Sequence, residues 1–263
     1  EIASCLVGSE MCIRDRICRN GHVDVTLSDG TEKTIRIHEI HMEEDAGKLV
    51  HDEWEGVSYV DYNRSGVPLI EIVSEPDMRS AEEVIAYLTK LRTTIQYLGA
   101  SDCKLQEGSM RADVNLSVRE RGSSEFGTRT ETKNLNSFAA IERAIKAETA
   151  RQIDLIEAGE KVVQETRRWN DDKEYSYAMR SKEDAQDYRY FPDPDLVPIH
   201  ISDEYLAELK AKQPEFKDEK KARYIEEFGL PEYDAEILTD SKKFTEIFEE
   251  ATAICNQPKK VSN

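Results

Sequence analysis

The chain has no hydrophobic run approaching the ~20 residues that a membrane-spanning helix needs, which excludes such a helix within it. Its five cysteines (Cys5, Cys12, Cys18, Cys103 and Cys255) are scattered, odd in number and never in C-x-x-C spacing. That pattern excludes a zinc ribbon or a disulfide framework and fits free thiols in a cytoplasmic or organellar-matrix protein. Positive charge is scarce: 36 Lys and Arg stand against 54 Asp and Glu, for a net charge of −18. Polyanions are gripped through basic surfaces, so the charge argues against a general nucleic-acid binder, and any nucleic-acid role must rest on a local patch, a partner or a further part. There is no Walker-type phosphate loop, no G-x-G-x-x-G and no kinase catalytic loop, so the common phosphate cradles are absent. The opening residues lack the basic, apolar and small-residue order of a signal peptide.

What is present is a charged but foldable chain. Its 263 residues are 38% apolar, enough for one large domain or a domain plus a smaller one, and a mean hydropathy of −0.67 implies a polar surface. Residues 1–16 show neither helical nor strand periodicity and are expected to be a foreign segment. Val23, Val25 and Leu27 then alternate with polar residues as a half-buried strand. Asp29-Gly30 supplies a hairpin turn, and Ile35 and Ile37 the return. The apolar phase slips at Ile40 and Met42, which predicts a bulge or a change of buried face. A second hairpin is expected over Tyr59–Val73, turning at Arg64-Ser65-Gly66.

Ser80 and Glu83 frame a capping box for a helix carrying Val84, Leu88, Leu91, Ile95 and Leu98, with Gly99 as its stop. Met110–Val118 alternates as a clean strand, and Thr128–Leu135 places Arg129, Glu131 and Lys133 on one face. Asn136-Ser137 opens a long helix ending at Gly159, and a hairpin over Thr166–Trp169 and Tyr175–Met179 follows. Beyond Ser202 the pattern turns helical over 204–212, 218–228 and 242–254. Hairpins and helices alternate without a β-α-β rhythm. The expected class is α+β: an antiparallel-sheet domain over 17–202, then a small helical domain over 203–263.

Chemistry-bearing residues concentrate in two places. The stretch from His41 to Lys48 packs an imidazole, three carboxylates and an amine into eight residues. Glu71 lies in an apolar run whose two faces both read as covered, where a carboxylate is costly unless paired or metal-bound. Mg²⁺ takes one or two carboxylates and completes its shell with water and phosphate oxygens, which makes Glu44 and Glu71 its candidate ligands. His41 and Glu43 would stand behind them or face substrate, while Lys48 and Arg64 could reach a phosphate. The second place is Arg111, Asp113, Asn115 and Ser117, alternate residues ~6.6–7 Å apart along a strand, a spacing suited to successive groups of a triphosphate or to a second metal. Lys133 is a further phosphate candidate on the neighbouring segment. Blander readings stand beside these: a solvated acidic turn, a wet sheet face, and a charge ladder over Arg129, Glu131 and Lys133. The loop Asp187–Asp195, rich in Tyr, Phe and Pro, either stacks a base or aminoacyl end or packs onto a core.

His41–Lys48, Val60–Val73, Gln106–Asn115, Lys133–Phe138 and Asp187–Asp195, in that order, resemble the B subunits of the aspartyl/glutamyl-tRNA amidotransferases, and the likeness runs from about Ile17 to Asn263. The resemblance implies a cradle domain like those of glutamine synthetase and guanido kinases, a helical domain and a tRNA-gripping tail. It implies activation by ATP and Mg²⁺ of the side-chain carboxylate of Glu-tRNA(Gln) or Asp-tRNA(Asn). Ammonia from the amidase, the A subunit, then displaces phosphate, and the small C subunit holds the pair together. It also implies that the metal site matches Glu44 and Glu71, helped by a His and a Glu from an upstream strand not seen here. The chain by itself is therefore expected to be inactive. An acid–ammonia ligase or phosphotransferase acting on a small molecule, and a non-enzymatic scaffold for the other subunits, are the competing readings.

Overall fold

The computed structural model describes residues 16–45, 47–52, 54–181 and 200–262. The expected foreign segment before Arg16 and the aromatic loop Asp187–Asp195 lie outside the described residues. Two compact units emerge, one running through Arg79 and joined by His200, the other made of 80–181 and 201–262.

The first unit is built on a three-stranded antiparallel sheet in the order β1-β2-β5, from β1 (Arg16–Thr26), β2 (Glu32–Glu44) and β5 (Pro68–Ser74). The β1–β2 turn is the one expected: Gly30 has φ +83°, and Asp29 Oδ1 accepts from the Thr31 amide at 2.8 Å. Val25, Ile35 and Ile37 are buried along one face. The predicted slip in phase is a register shift between Ile37 and Glu39 against β5. The expected Tyr59–Val73 hairpin does not form. β4 (Val57–Asp61) pairs instead with β3 (Lys48–Asp52) as a separate two-stranded ribbon, and β5 crosses back to β2. Pro68 opens β5, the one strand position where its missing N–H costs least.

The second unit carries a four-stranded sheet in the order β6-β7-β8-β9. Its strands are β6 (Val114–Leu116), β7 (Thr130–Lys133), β8 (Glu165–Asn170) and β9 (Tyr175–Ser181). Helices α1 (Ala81–Leu98) and α2 (Phe138–Glu157) begin where the sequence places them, with Ser80 Oγ accepting from Glu83 N and Ser137 Oγ from Ala140 N. Gly99 at φ +71° ends α1, as only a residue at ease in the left-handed region can. Ala81, Leu135, Ala140, Ile141, Ala144, Ile145 and Trp169 form the core, with Val84, Leu88, Val114 and Leu116 packed against it.

Two expectations are corrected in this sheet. β7 and β8 are parallel and joined through α2, a β-α-β unit that makes the sheet mixed. The strand expected over Met110–Val118 shortens to three residues, because Gln152 replaces the ladder beyond it: its Oε1 accepts from Val118 N at 3.0 Å and its Nε2 donates to Leu116 O at 3.2 Å.

The remaining helices are α3 (Asp203–Ala211), α4 (Lys217–Glu226), α5 (Glu232–Thr239), α6 (Lys242–Cys255) and α7 (Pro258–Val261). Tyr224, Leu230, Ala235 and Phe248 make their own small core. Tyr97 of α1 donates to Thr239 O at 2.6 Å, and Lys90 of α1 pairs with Asp218. These bonds join the segment expected to open a separate domain to α1 within one compact unit.

Candidate functional site

Polar groups gather on one face of each sheet. In the first unit, the register pairs His41 with Glu71, Glu43 with Leu69 and Glu44 with Pro68. Residues directly opposite share a face and neighbours along a strand alternate. His41, Glu43 and Glu71 therefore stand together, and Glu44 falls on the reverse face with Met42 and Ile70. The register does not bring Glu44 and Glu71 onto one face. Nor is Glu71 covered as expected: it is exposed, and Met42 and Ile70 behind it are about half exposed.

His41 is 8% exposed, and its Nε2 lies 2.9 Å from Glu39 Oε1. Glu39 Oε2 is in turn 3.8 Å from His38 Nε2, whose ring reaches Glu75 through Nδ1 at 2.8 Å. Two histidines and two carboxylates thus alternate beside the bulge. Arg64, a candidate phosphate contact, gives its Nε to Asp45 Oδ2 at 2.7 Å. Asp45 also exchanges backbone bonds with Val67 and Gly66, so this arginine secures the loop before β5. Lys48 starts β3 opposite Asp61 and is exposed.

The implied magnesium can be tested against these donors. Among the described residues, no group of three or more His, Cys, Asp or Glu side chains is arranged to hold a metal. Glu44 and Glu71 on opposite faces do not make a divalent-ion site by themselves.

In the second unit the mixed sheet buries one face under its helices and leaves the other polar. On the buried side Glu148 of α2 is 2% exposed and fully engaged. Thr130 Oγ1 donates to it at 2.7 Å, Gln152 Nε2 at 2.9 Å and Arg151 Nη2 at 2.6 Å, while Arg167 Nε lies 3.5 Å away. Burial pushes this carboxyl upward, but the bonds from Arg151, Gln152 and Thr130 outweigh it and hold the group below the ordinary glutamate range.

The open side is laid out by register. Asn115 opposes Glu131, which opposes Thr166, and Thr166 Oγ1 donates to Glu131 Oε2 at 2.8 Å. In the next row Lys133 Nζ donates to Asp113 Oδ2 at 2.8 Å, and Lys133 opposes Arg168, which opposes Tyr177. Burial works to lower the Lys133 ammonium's affinity for its proton, but Asp113 and Glu131 together raise it above the ordinary value. Lys133 is thus a fixed cation. Lys133 thus meets Asp113, and Asn115 lies across from Glu131 in the neighbouring row. Arg111 lies on the exposed approach to β6, outside the strand.

Glu39, Glu131, Thr166 and Arg168 were not singled out as site residues by the sequence. Glu39 carries a signal, since it stands two residues before His41 in an extended run. Arg168 carries none, because its place beside Lys133 depends on a parallel pairing made through α2.

The chain is similar in sequence to known proteins. A family model described as the GatB/GatE catalytic domain matches residues 12–207. The B subunit of the aspartyl/glutamyl-tRNA(Asn/Gln) amidotransferase from Agathobacter rectalis is 73% identical over 247 residues, 94% of this chain and 52% of that protein. The proteins of the same name from Lachnoclostridium phytofermentans and Caldicellulosiruptor bescii are 67% and 57% identical over the same share of this chain, covering 52% and 51% of their lengths. The chain spans about half the length of these curated relatives. The match across most of its length means that it belongs to the GatB/GatE catalytic-domain family.

Proposed function

We propose that this chain is the carboxylate-activating part of the B subunit in a tRNA-dependent amidotransferase, a carbon–nitrogen ligase with glutamine as amido donor. The observation that carries the reading is the 73% identity over 247 residues to a protein named for that activity. The substrate is the side-chain carboxylate of glutamate on tRNA(Gln) or aspartate on tRNA(Asn), presented at the acceptor end. A carboxylate is a poor electrophile. Its oxygen attacks the terminal phosphorus of ATP, ADP leaves, and the acyl phosphate formed has a good leaving group. Ammonia then attacks the acyl carbon, the C–O bond to phosphate breaks, and the nitrogen gives up a proton as the amide forms.

The polar face holding Asp113, Asn115 and Lys133 suits the phosphates, because such transfers depend chiefly on positioning and on fixed charge near the moving phosphoryl group. Within the first unit, His41 and Glu71, cross-strand neighbours, are groups able to accept or donate a proton. Magnesium, which would neutralise charge on the phosphates, needs donors beyond Glu44 and Glu71. An amidase that supplies ammonia and a small bracing protein complete the assembly, in the cytoplasm of a bacterium or an organellar matrix. A chain of net charge −18 needs help from other parts to hold tRNA.

The test uses the full-length protein assembled with its partners, misacylated tRNA, ATP and ammonium. Amide formation and ATP turnover should both require the misacylated tRNA and fall together in Lys133→Ala and Glu71→Ala. ATP turnover on a free carboxylic acid without tRNA would move the reading to a small-molecule ligase. Full activity in both variants would reduce this part of the chain to a scaffold.

A further inference from the structure

The first unit's sheet holds two imidazoles of the same strand in different settings. Glu39 and His41 are alternate residues of the central strand β2, Glu39 opposite Val73 and His41 opposite Glu71, so their side chains share a face. Both are sheltered, 15% and 10% exposed, and Glu39 Oε1 lies 2.9 Å from His41 Nε2. The His38 side chain is 53% exposed, and its Nδ1 meets Glu75 Oε1 at 2.8 Å. Its Nε2 is 3.8 Å from Glu39 Oε2, beyond hydrogen-bond reach. An ionised carboxylate accepts hydrogen bonds and has no proton to give. Each short contact therefore fixes which ring nitrogen carries the hydrogen: Nε2 in His41 and Nδ1 in His38. Two histidines three residues apart are held as opposite tautomers, one under cover and one in solvent.

We propose that Glu39 is a positioning residue for His41. Its carboxylate keeps the proton on Nε2, fixes the turn of the ring and leaves the lone pair on Nδ1. Nδ1 is then the basic nitrogen of the imidazole that stands with Glu43 and Glu71. A proton taken up at Nδ1 makes an imidazolium. Glu39 offsets that charge without becoming protonated itself, and the proton leaves again from Nδ1. The spacing of the pair is set before any substrate arrives, because β2 is laddered on both sides, to β1 and to β5. The inference rests on the amidotransferase reading and deepens it by naming the atom of the first unit that exchanges a proton. His38 has a carboxylate partner of the same kind but faces solvent, which makes it the natural contrast.

The test has a spectroscopic arm and a kinetic one. Nitrogen-15 labelling of the histidines in the 263-residue chain reads the tautomers by NMR in alkaline buffer, where imidazole is neutral. The His41 signal, identified by its loss in His41→Gln, should carry its hydrogen on Nε2. In Glu39→Gln it should become a mixture, since an amide can either accept from a ring nitrogen or donate to it. In the full-length protein assembled with its partners, Glu39→Gln should lower kcat for amidation about tenfold or more, with KM for ATP and for misacylated tRNA unchanged. Glu39→Asp, which keeps the charge, should recover part of the loss, and His38→Gln should change neither kcat nor the His41 tautomer. Hydrogen on Nδ1 of His41 in the parent chain, or an undiminished kcat in Glu39→Gln, overturns the positioning role and leaves tRNA-dependent amidation standing. An equal loss in His38→Gln overturns the assignment to Glu39. Absence of tRNA-dependent amidation in the assembled parent overturns the amidotransferase reading, while the tautomer still decides where Glu39 holds the proton.

Discussion

The two sheets dispose of core and chemistry in opposite ways. In the second unit, Trp169 and the aliphatic residues of α2 load one face while Asp113, Lys133 and Arg168 occupy the other. In the first unit both uses share a face: Ile35 and Ile37 are buried along β2, and the same side continues into His41, Glu43 and Glu71. A sheet that separates the two can lose a site residue without losing packing. A sheet that combines them cannot, and its substitutions should report on stability and activity at once.

The sharpest test of that contrast lies on the packed side of the second sheet. Removing Glu148 strips Arg151, Gln152 and Thr130 of a shared acceptor and takes one of two carboxylates from the buried Arg167, which keeps Glu165. Breaking a buried ion pair costs about 3–5 kcal/mol, so Glu148→Ala should lower the unfolding midpoint steeply. Trp169 is buried in this unit, whereas Trp54, in the other, is 99% exposed. Tryptophan fluorescence during denaturant unfolding will therefore follow the second unit. On the open side, Lys133→Ala removes an exposed ion pair worth within about 1 kcal/mol and should leave that midpoint in place. On the proposed function, amidation by the assembled enzyme should nevertheless fall on the order of a hundredfold, the usual effect of removing one preorganised charge beside a transferring phosphoryl group. A Lys133→Ala protein that melts early would erase the separation of faces.

The first unit should behave differently. His41→Ala removes the 2.9 Å contact with Glu39, a loss of about 1–3 kcal/mol for a bond to a charged group, and on the proposed function it should cut amidation as well. Glu71→Ala should impair activity through the same face. Glu44→Ala, on the reverse face, is expected to change activity only a few-fold, measured in the same assay. Equal losses for Glu44 and Glu71 would mean that both reach one ligand despite the register.

Local signals carried most of the elements. Ser80, Gly99 and Ser137 bracket α1 and α2 through bonds confined to one turn, and Asp29-Gly30 closes β1 on β2 over a short loop. The bulge after Ile37 is equally local, a register shift against β5 alone, while burial keeps its parity from Ile35 and Ile37 to His41. What stayed hidden depends on distant partners. β5 reads as the return of β4 because Arg64-Ser65-Gly66 is a sound turn, yet its ladder is with β2, where Glu71 meets His41 across the whole β3–β4 ribbon in sequence. The parallel pairing of β7 with β8 spans a whole helix, and the alternation of Met110–Val118 could not reveal that Gln152 would take over its hydrogen bonds. Of the candidate site, the charge ladder joining Glu131 and Lys133 was legible from the alternation along one strand, but the reach of Lys133 to Asp113 on the neighbouring segment was not. Which face Glu44 takes was not, since a shift of one residue reverses every side chain.

The smallest expected effect separates the units by acid. In the first, Asp77 Oδ2 accepts from the Arg36 amide at 3.0 Å and from its Nε at 2.9 Å, and Oδ1 accepts from Nη2 at 2.6 Å, binding the segment after β5 to β2. The Arg36 guanidinium outweighs the opposing effect of burial and pulls the Asp77 carboxyl down to about 2. A carboxyl depressed on folding stabilises fully above its unfolded value, about 3.9, and that contribution disappears as pH falls toward the folded value. The protection of the Arg36 amide against hydrogen exchange should therefore hold at neutral pH and fade between about pH 4 and pH 2. Asp77→Asn should remove that pH dependence while barely changing stability at pH 7, because the pair faces solvent through Arg36 and is screened by salt. Glu148, also depressed but sealed from solvent, should lose its contribution over its own acid range with little response to salt. Equal salt sensitivity at Asp77 and Glu148 would mean that the buried network is wetter than its packing implies.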